Sequence, residues 1–244
     1  MLTVMAIRVR RRQVVPRVRG ELWARAGVLV AGLFVFAAGI VALLESGLGL
    51  SPWDVLHDGL AARTGLSFGA ASVVVSLLVL VLAWSLGAPL GVGTVANAVL
   101  VGAFVEALTA IGAVERLADA PLAARLLLLA AGVSLMAVGT ALYLGAGFGA
   151  GPRDSLMVVG AERLRARVGF VRSVLELSVL GAGVALGGTV GIGTIVFALG
   201  IGPAVEVCFT LLERSPLVLT RAGAEVGSAA ECRDTLPPAA LEAA

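Results

Sequence analysis

The sequence predicts an all-α polytopic membrane helical bundle, built from two tandem three-span repeats in inverted topology, each with a short broken or half-helix after its first span. Three observations lead there. The 244 residues are 59% hydrophobic and 14% charged with a mean hydropathy of +1.03, a balance outside the range of water-soluble domains. Apolar stretches of spanning length recur along the chain, and the chain resembles itself at a fixed offset of 100 positions.

The spans come first. Apolar runs at about 22–44, 67–87, 93–112, 122–144, 168–187 and 193–212 each approach the roughly 20 residues a helix needs to cross about 30 Å of hydrocarbon. The first follows an Arg-rich start and has the outline of a signal peptide. Its counterpart at 122–144 argues against removal, because the first unit would then be incomplete. The expected organisation is a basic cytoplasmic tail (1–21), membrane repeat 1 (22–112), a linker (113–121), membrane repeat 2 (122–213) and a cytoplasmic, partly disordered tail (214–244).

The offset supplies the repeat. Aligning each residue with the one 100 positions later, from Ala31/Ala131 to Glu106/Glu206, gives 26 identities in 76 positions without a gap, where chance in this composition gives about one in eight. GLGLSPWDVL (47–56) pairs with GFGAGPRDSL (147–156), and GVGT (91–94) pairs with GIGT (191–194).

Charge sets the expected orientation. All 18 basic residues are Arg, and seven fall in the first 25 positions. A nucleic-acid arm is the competing reading, but an apolar run begins at Ala26, so the cluster reads as a cytoplasmic anchor. With three spans per unit the second copy enters the bilayer upside down. Residues 1–25, 145–172 and 213–244 then hold 15 Arg on the cytoplasmic side and leave Arg63, Arg116 and Arg125 on the other. The Gly-Pro region is Arg-poor in copy one and Arg-rich in copy two, as opposite orientation requires. A rival count, eight crossings with parallel repeats, places 17 Arg inside and only Arg153 outside, so the Arg tally alone leaves it open.

Between the first and second spans of each copy lie two glycines, a proline and an aspartate two residues later. Proline is tolerated at the first helical position, where no N–H is needed, so helices should start at Pro52 and Pro152 and run to about Arg63 and Arg163. That is roughly half a bilayer. Asp54 and Asp154 sit where unpaired N–H groups favour a carboxylate. Interrupted backbone at membrane depth is tolerable when buried in protein or lining a wet cavity, which makes these segments the best pointer to a binding site. The alternative is a pair of interfacial helices with Trp53 as a headgroup anchor. His57, the chain's one histidine, is a proton relay or an interfacial polar residue. Copy two carries Arg153 and Met157 in place of Trp53 and His57, so a shared site is pseudosymmetric at most.

Glu106 and Glu206 fall at equivalent depths in the third span of each copy, and an intramembrane carboxylate is a functional candidate unless paired or near a helix end. Glu176 follows Arg172 by four residues and reads as a local ion pair. Thr94 and Thr194 read as N-caps of the third spans, with solute contact as a second role. The candidate solute-binding set is therefore Pro52, Asp54, His57, Thr94, Glu106, Pro152, Arg153, Asp154, Thr194 and Glu206.

No phosphate-binding loop, zinc-protease motif, nucleophile elbow or Cys/His ligand cluster occurs, and Cys208 and Cys232 have no metal-ligand spacing. No enzyme activity, cofactor, metal or nucleic-acid partner is expected; the lipid bilayer, a small solute, a proton and a second copy of the chain are the partners left open. GLGxxPWDxL, a short helix, an apolar span and GxGT, carried by Pro52, Trp53, Asp54, Gly91, Gly93 and Thr94, resemble the YczE/YyaS/YitT family of bacterial membrane proteins, closest to its YczE-like branch, over about residues 20–213. The resemblance implies a bacterial plasma membrane location, and some members are linked to secreted-metabolite production. Two functions follow as expectations: a secondary transporter or exporter of a small solute with its site between the repeats, or a non-transporting membrane regulator or scaffold.

Overall fold

The computed structural model describes residues 17–18, 20–111, 120–166 and 168–215. The expected tails and linker, with Arg116, Arg167 and Cys232, lie largely or wholly outside the described residues. Among the described residues there are eight helices: α1 (Leu22–Ser46), α2 (Pro52–Thr64), α3 (Phe68–Ser85), α4 (Val92–Ala110), α5 (Leu122–Gly145), α6 (Pro152–Leu164), α7 (Val168–Ala185) and α8 (Ile192–Arg214). Every helix of the second half starts 100 residues after its counterpart. Six of the eight are long and apolar enough to cross a membrane, all but α2 and α6, and their ends agree with the sequence expectation within two residues.

The core is the α1–α5 pair. Gly32 lies against Gly139 and Tyr143, and Gly39 against Gly132 and Met136, so the contacting numbers rise on one helix as they fall on the other: α1 and α5 run antiparallel. Small residues let the two backbones approach closely, the ordinary basis of packing where lipid gives no hydrophobic drive. Leu33, Phe36, Leu43, Met136 and Tyr143 fill the seam. Equivalent arginines tie its ends. Arg25 donates to the carbonyl of Ala146 from both Nε (3.0 Å) and a terminal nitrogen (2.8 Å), and Arg125 donates to the carbonyls of Ser46 (2.7 Å) and Gly47 (2.8 Å). Each satisfies the unpaired C-terminal carbonyls of a helix in the other half. The second pair of equivalents repeats the device: Arg63 Nε donates to the Leu186 carbonyl and Arg163 Nε to the Leu86 carbonyl, both at 3.1 Å.

The halves also interlock through backbone. The Leu48 carbonyl accepts from the Gly193 N–H at 2.7 Å, and the Phe148 carbonyl accepts from the Gly93 N–H at 3.0 Å. Gly49 and Gly149, at φ +122° and +118°, sit in the left-handed region that favours glycine. A Cβ on Gly49 would come within 2.7 Å of the Gly191 nitrogen. The glycine pair of each broken segment thus docks on the GxGT turn of the other half, which explains why both patterns occur twice. Beyond them α2 packs on α7 and α6 on α3.

The structure corrects the expected role of two residues. Thr94 and Thr194 stand at the third position of α4 and α8, and the N-caps are Gly91 and Gly191. Their hydroxyls reach back to accept from the Gly91 (3.2 Å) and Gly191 (3.3 Å) N–H groups, the reciprocal half of a capping box. Glycine has no side chain to cap with, and the N–H groups of Gly93 and Gly193 donate instead to the Phe148 and Leu48 carbonyls of the other half.

Candidate functional site

The two half-helices start as their prolines require, with Pro52 and Pro152 in the first helical position. Ser51 caps α2: its hydroxyl accepts from the Asp54 N–H at 3.2 Å and donates to Asp54 Oδ2. The other carboxylate oxygen, Oδ1, faces His57 Nδ1 at 3.4 Å, one turn further on. Ser51, Asp54 and His57 therefore form a polar chain along one side of α2, and all three are buried, Asp54 to 2% and His57 to 6% exposure. The second half has Gly151 and Met157 at the corresponding places, and Asp154 is held instead by the Tyr143 hydroxyl, which donates to Oδ2 at 2.9 Å.

These first turns meet around a small, partly open cavity. Its walls include Trp53, Asp54 and His57 from α2, Ser72 and Ser76 from α3, Asn97 from α4, and Pro152 and Arg153 from α6, closed by Phe36 and Ile40 of α1. The volume is about 40 Å³, room for a few waters or a small ion and far below the several hundred Å³ of an organic-ligand pocket. The Arg153 guanidinium lies over the Phe36 ring, 5.4 Å from its centroid, a geometry that stabilises a cation by roughly 1–2 kcal/mol away from water. Among the described residues no carboxylate comes within 4 Å of it.

Two wall atoms have no hydrogen-bond partner, Trp53 Nε1 and His57 Nδ1. His57 Nδ1 still faces Asp54 Oδ1 at 3.4 Å, but the indole N–H has no such neighbour. Leaving a buried polar atom unpaired costs about 1–3 kcal/mol, so Trp53 marks a place where a polar guest is stabilising. Trp53 is only 5% exposed and packs with Val75 and Met157. It is not a headgroup anchor, and the first turn of α2 is an interior element.

The structure thus brings Pro52 (adjoining the cavity through Trp53), Asp54, His57, Pro152 and Arg153 together, with Asp154 behind them on Tyr143. The other expected residues lie elsewhere. Thr94 and Thr194 serve the turns where the halves interlock, and Glu106 and Glu206 stand on exposed faces of α4 and α8, away from the cavity. Glu176 pairs with Arg172 at 2.9 Å, as their spacing suggests. Ser72, Ser76, Asn97 and Tyr143 escaped the sequence reading. Their signal was rarity and spacing: the chain has one Asn and one Tyr, and the two serines stand four apart on one face of an otherwise apolar helix.

Comparison with known proteins gives the family but no activity. A family of unknown function, DUF6198, matches residues 23–210. An uncharacterized protein of Haemophilus influenzae is 37% identical over 189 residues, covering 78% of this chain and 85% of its own length. The uncharacterized membrane protein YczE of Bacillus subtilis is 34% identical over 189 residues, 75% of this chain and 84% of its own. The uncharacterized protein YyaS of the same organism is 27% identical over 199 residues, 79% and 96% of the two chains. No solved structure matches. The chain belongs to the DUF6198 family and is a membrane-embedded protein.

Proposed function

We propose that this DUF6198 protein is a secondary transporter or exporter of a small solute, with its site between the two halves and its location the bacterial plasma membrane. The observation that carries the reading is the cavity, where Trp53, Asp54 and His57 of the first half face Pro152 and Arg153 of the second. Paired interrupted helices whose N-termini meet at a shared polar centre are the form in which inverted-repeat carriers hold solutes and coupling ions. A buried carboxylate and cation at such a centre are expensive to keep in a membrane and are kept for function.

The antiparallel course of α1 and α5 supports inverted repeats with six crossings over the parallel, eight-crossing arrangement. We place both termini in the cytoplasm, following the Arg distribution. Cysteines introduced at the exposed Leu66 and Leu164, with Cys208 and Cys232 replaced by serine, should react with an impermeant reagent from opposite sides of the membrane. Labelling from one side would restore the parallel arrangement.

A non-transporting regulator or scaffold is the second reading, favoured by the outward placement of Glu106 and Glu206, two of the four carboxylates a carrier site was expected to gather. Proton flux into proteoliposomes under an imposed pH gradient separates the two. The carrier reading expects flux in the wild type and at least a tenfold loss in Asp54→Asn plus Asp154→Asn, with an unchanged melting profile. Equal flux in a folded double mutant would remove these residues from the site. No flux in the wild type, for protons or any solute tried, would favour the scaffold.

A further inference from the structure

We infer that the cavity between α2 and α6 binds a small monovalent anion that accepts hydrogen bonds, of the class of a halide, nitrate or formate. This rests on the reading of that cavity as a ligand site. Two groups of the wall can only donate, the indole N–H of Trp53 and the guanidinium of Arg153, against one carboxylate, Asp54, and the hydroxyl and amide groups of Ser72, Ser76 and Asn97. Trp53 Nε1 is buried with no partner, while His57 Nδ1 has the Asp54 carboxylate at 3.4 Å. Both nearby carboxylates are otherwise engaged, Asp54 with Ser51 and facing His57, and Asp154 with Tyr143. Arg153 has no carboxylate within 4 Å among the described residues and lies over the face of Phe36, with Asp154 and Asp54 as its more distant counter-charges.

The first turns of α2 and α6 bring their N-terminal ends to the same place, and helix N-termini favour negative charge. Water would satisfy the donors but gain nothing from the Arg153 charge, which has no carboxylate within 4 Å among the described residues, and a cation would share the wall with that charge. The volume, about 40 Å³, suits an ion of a few atoms and excludes an organic anion with a bulky skeleton in this conformation.

The tryptophans allow a direct test. The chain has three; Trp23 and Trp84 are 82% and 66% exposed on the outer surface, so Trp23→Phe plus Trp84→Phe leaves Trp53 as the reporter. The purified full chain is titrated with the sodium salts of chloride, nitrate and formate at constant ionic strength made up with gluconate, and again with choline in place of sodium. Trp53 emission should change saturably with at least one small anion, independently of the cation. Arg153→Gln should raise the half-saturating concentration at least tenfold, and Arg153→Lys, which keeps the charge, should raise it less; melting curves of each variant separate a lost site from a lost fold. No saturable response to any of the three anions would leave a hydrated cavity and overturn the inference. So would a response that follows the cation, or one undiminished in a folded Arg153→Gln. Anion binding in a protein that carries no flux would remove the transport reading alone, and proton flux without an anion response would remove this inference alone.

Discussion

The helix pair α3–α4 and its equivalent α7–α8 hold corresponding sequences and pack in opposite ways. In the first half Gly69 and Gly102 bring the backbones together so closely that a Cβ on Gly69 would meet the Gly102 carbonyl at 2.5 Å. In the second half Gly169 and Gly202 have nothing within 4 Å of a Cβ, and α7 and α8 lack the close packing of α3 on α4. Of the most apolar stretch of each helix, 28% and 33% is buried in α3 and α4 but only 11% and 17% in α7 and α8. The glycines for a tight seam are present in both halves, and one seam is made. Pro203 adds to the asymmetry: it stands inside α8 where α4 has Ala103, and it cannot donate to the carbonyl of Leu199 four residues back. The second half is therefore the less tightly packed one, and the proposed carrier would have a use for that space. In the proposed carrier, exchanging the two arrangements, with α7–α8 closed and α3–α4 open, would turn the access of the central cavity from one side to the other.

Substitution at the equivalent glycines gives the largest expected contrast. Gly102→Leu must displace Val73 and the Gly69 carbonyl, which lie 2.4 and 2.6 Å from the new Cβ, and should cost about 3 kcal/mol or more. Gly202→Leu enters open space and should change stability by less than about 0.5 kcal/mol, yet abolish flux by blocking the second seam. Thermal melts in detergent and proteoliposome flux read the two effects separately. Equal destabilisation at both sites would mean that the second seam is already closed in the resting protein.

A smaller contrast is expected at the arginines, because there the halves match. Arg25→Ala and Arg125→Ala each remove charged hydrogen bonds to helix-end carbonyls of the other half, and each should lower stability by about 1–2 kcal/mol. The two losses should agree within about 0.5 kcal/mol. A marked inequality would show that the α1–α5 axis is itself asymmetric and not a common frame for the two seams.

Much of this frame was legible in the sequence, for a local reason. Spanning length, the prolines at 52 and 152 and the 100-residue offset are properties of short stretches, and the helices begin where those stretches say. Which face of a span turns inward was not legible. Lipid and protein interior are both apolar, so α4 shows no polar stripe to tell Glu106 from Asn97, and intramembrane depth alone made Glu106 a candidate while Asn97 passed unnoticed. Cross-half contacts were hidden for a different reason. The docking of Gly49 on Gly191 and of Arg125 on Ser46 joins residues far apart in the chain, and the repetition of a motif reveals that it is needed without revealing what it touches. Thr94 was misplaced by three positions because a GxGT turn caps its helix from within.

Closure of the open second seam, which the proposed carrier requires, is tested most directly by disulfide trapping in a chain with Cys208 and Cys232 replaced by serine. Val73 and Gly102 touch in the first seam, and Ser173 and Gly202 are their equivalents in the second. Val73→Cys plus Gly102→Cys, where it folds, should cross-link at once. Ser173→Cys plus Gly202→Cys should cross-link slowly in membranes and stop flux when it does, with flux restored on reduction. A second-seam pair that never cross-links while the protein carries flux would contradict the exchange of seams.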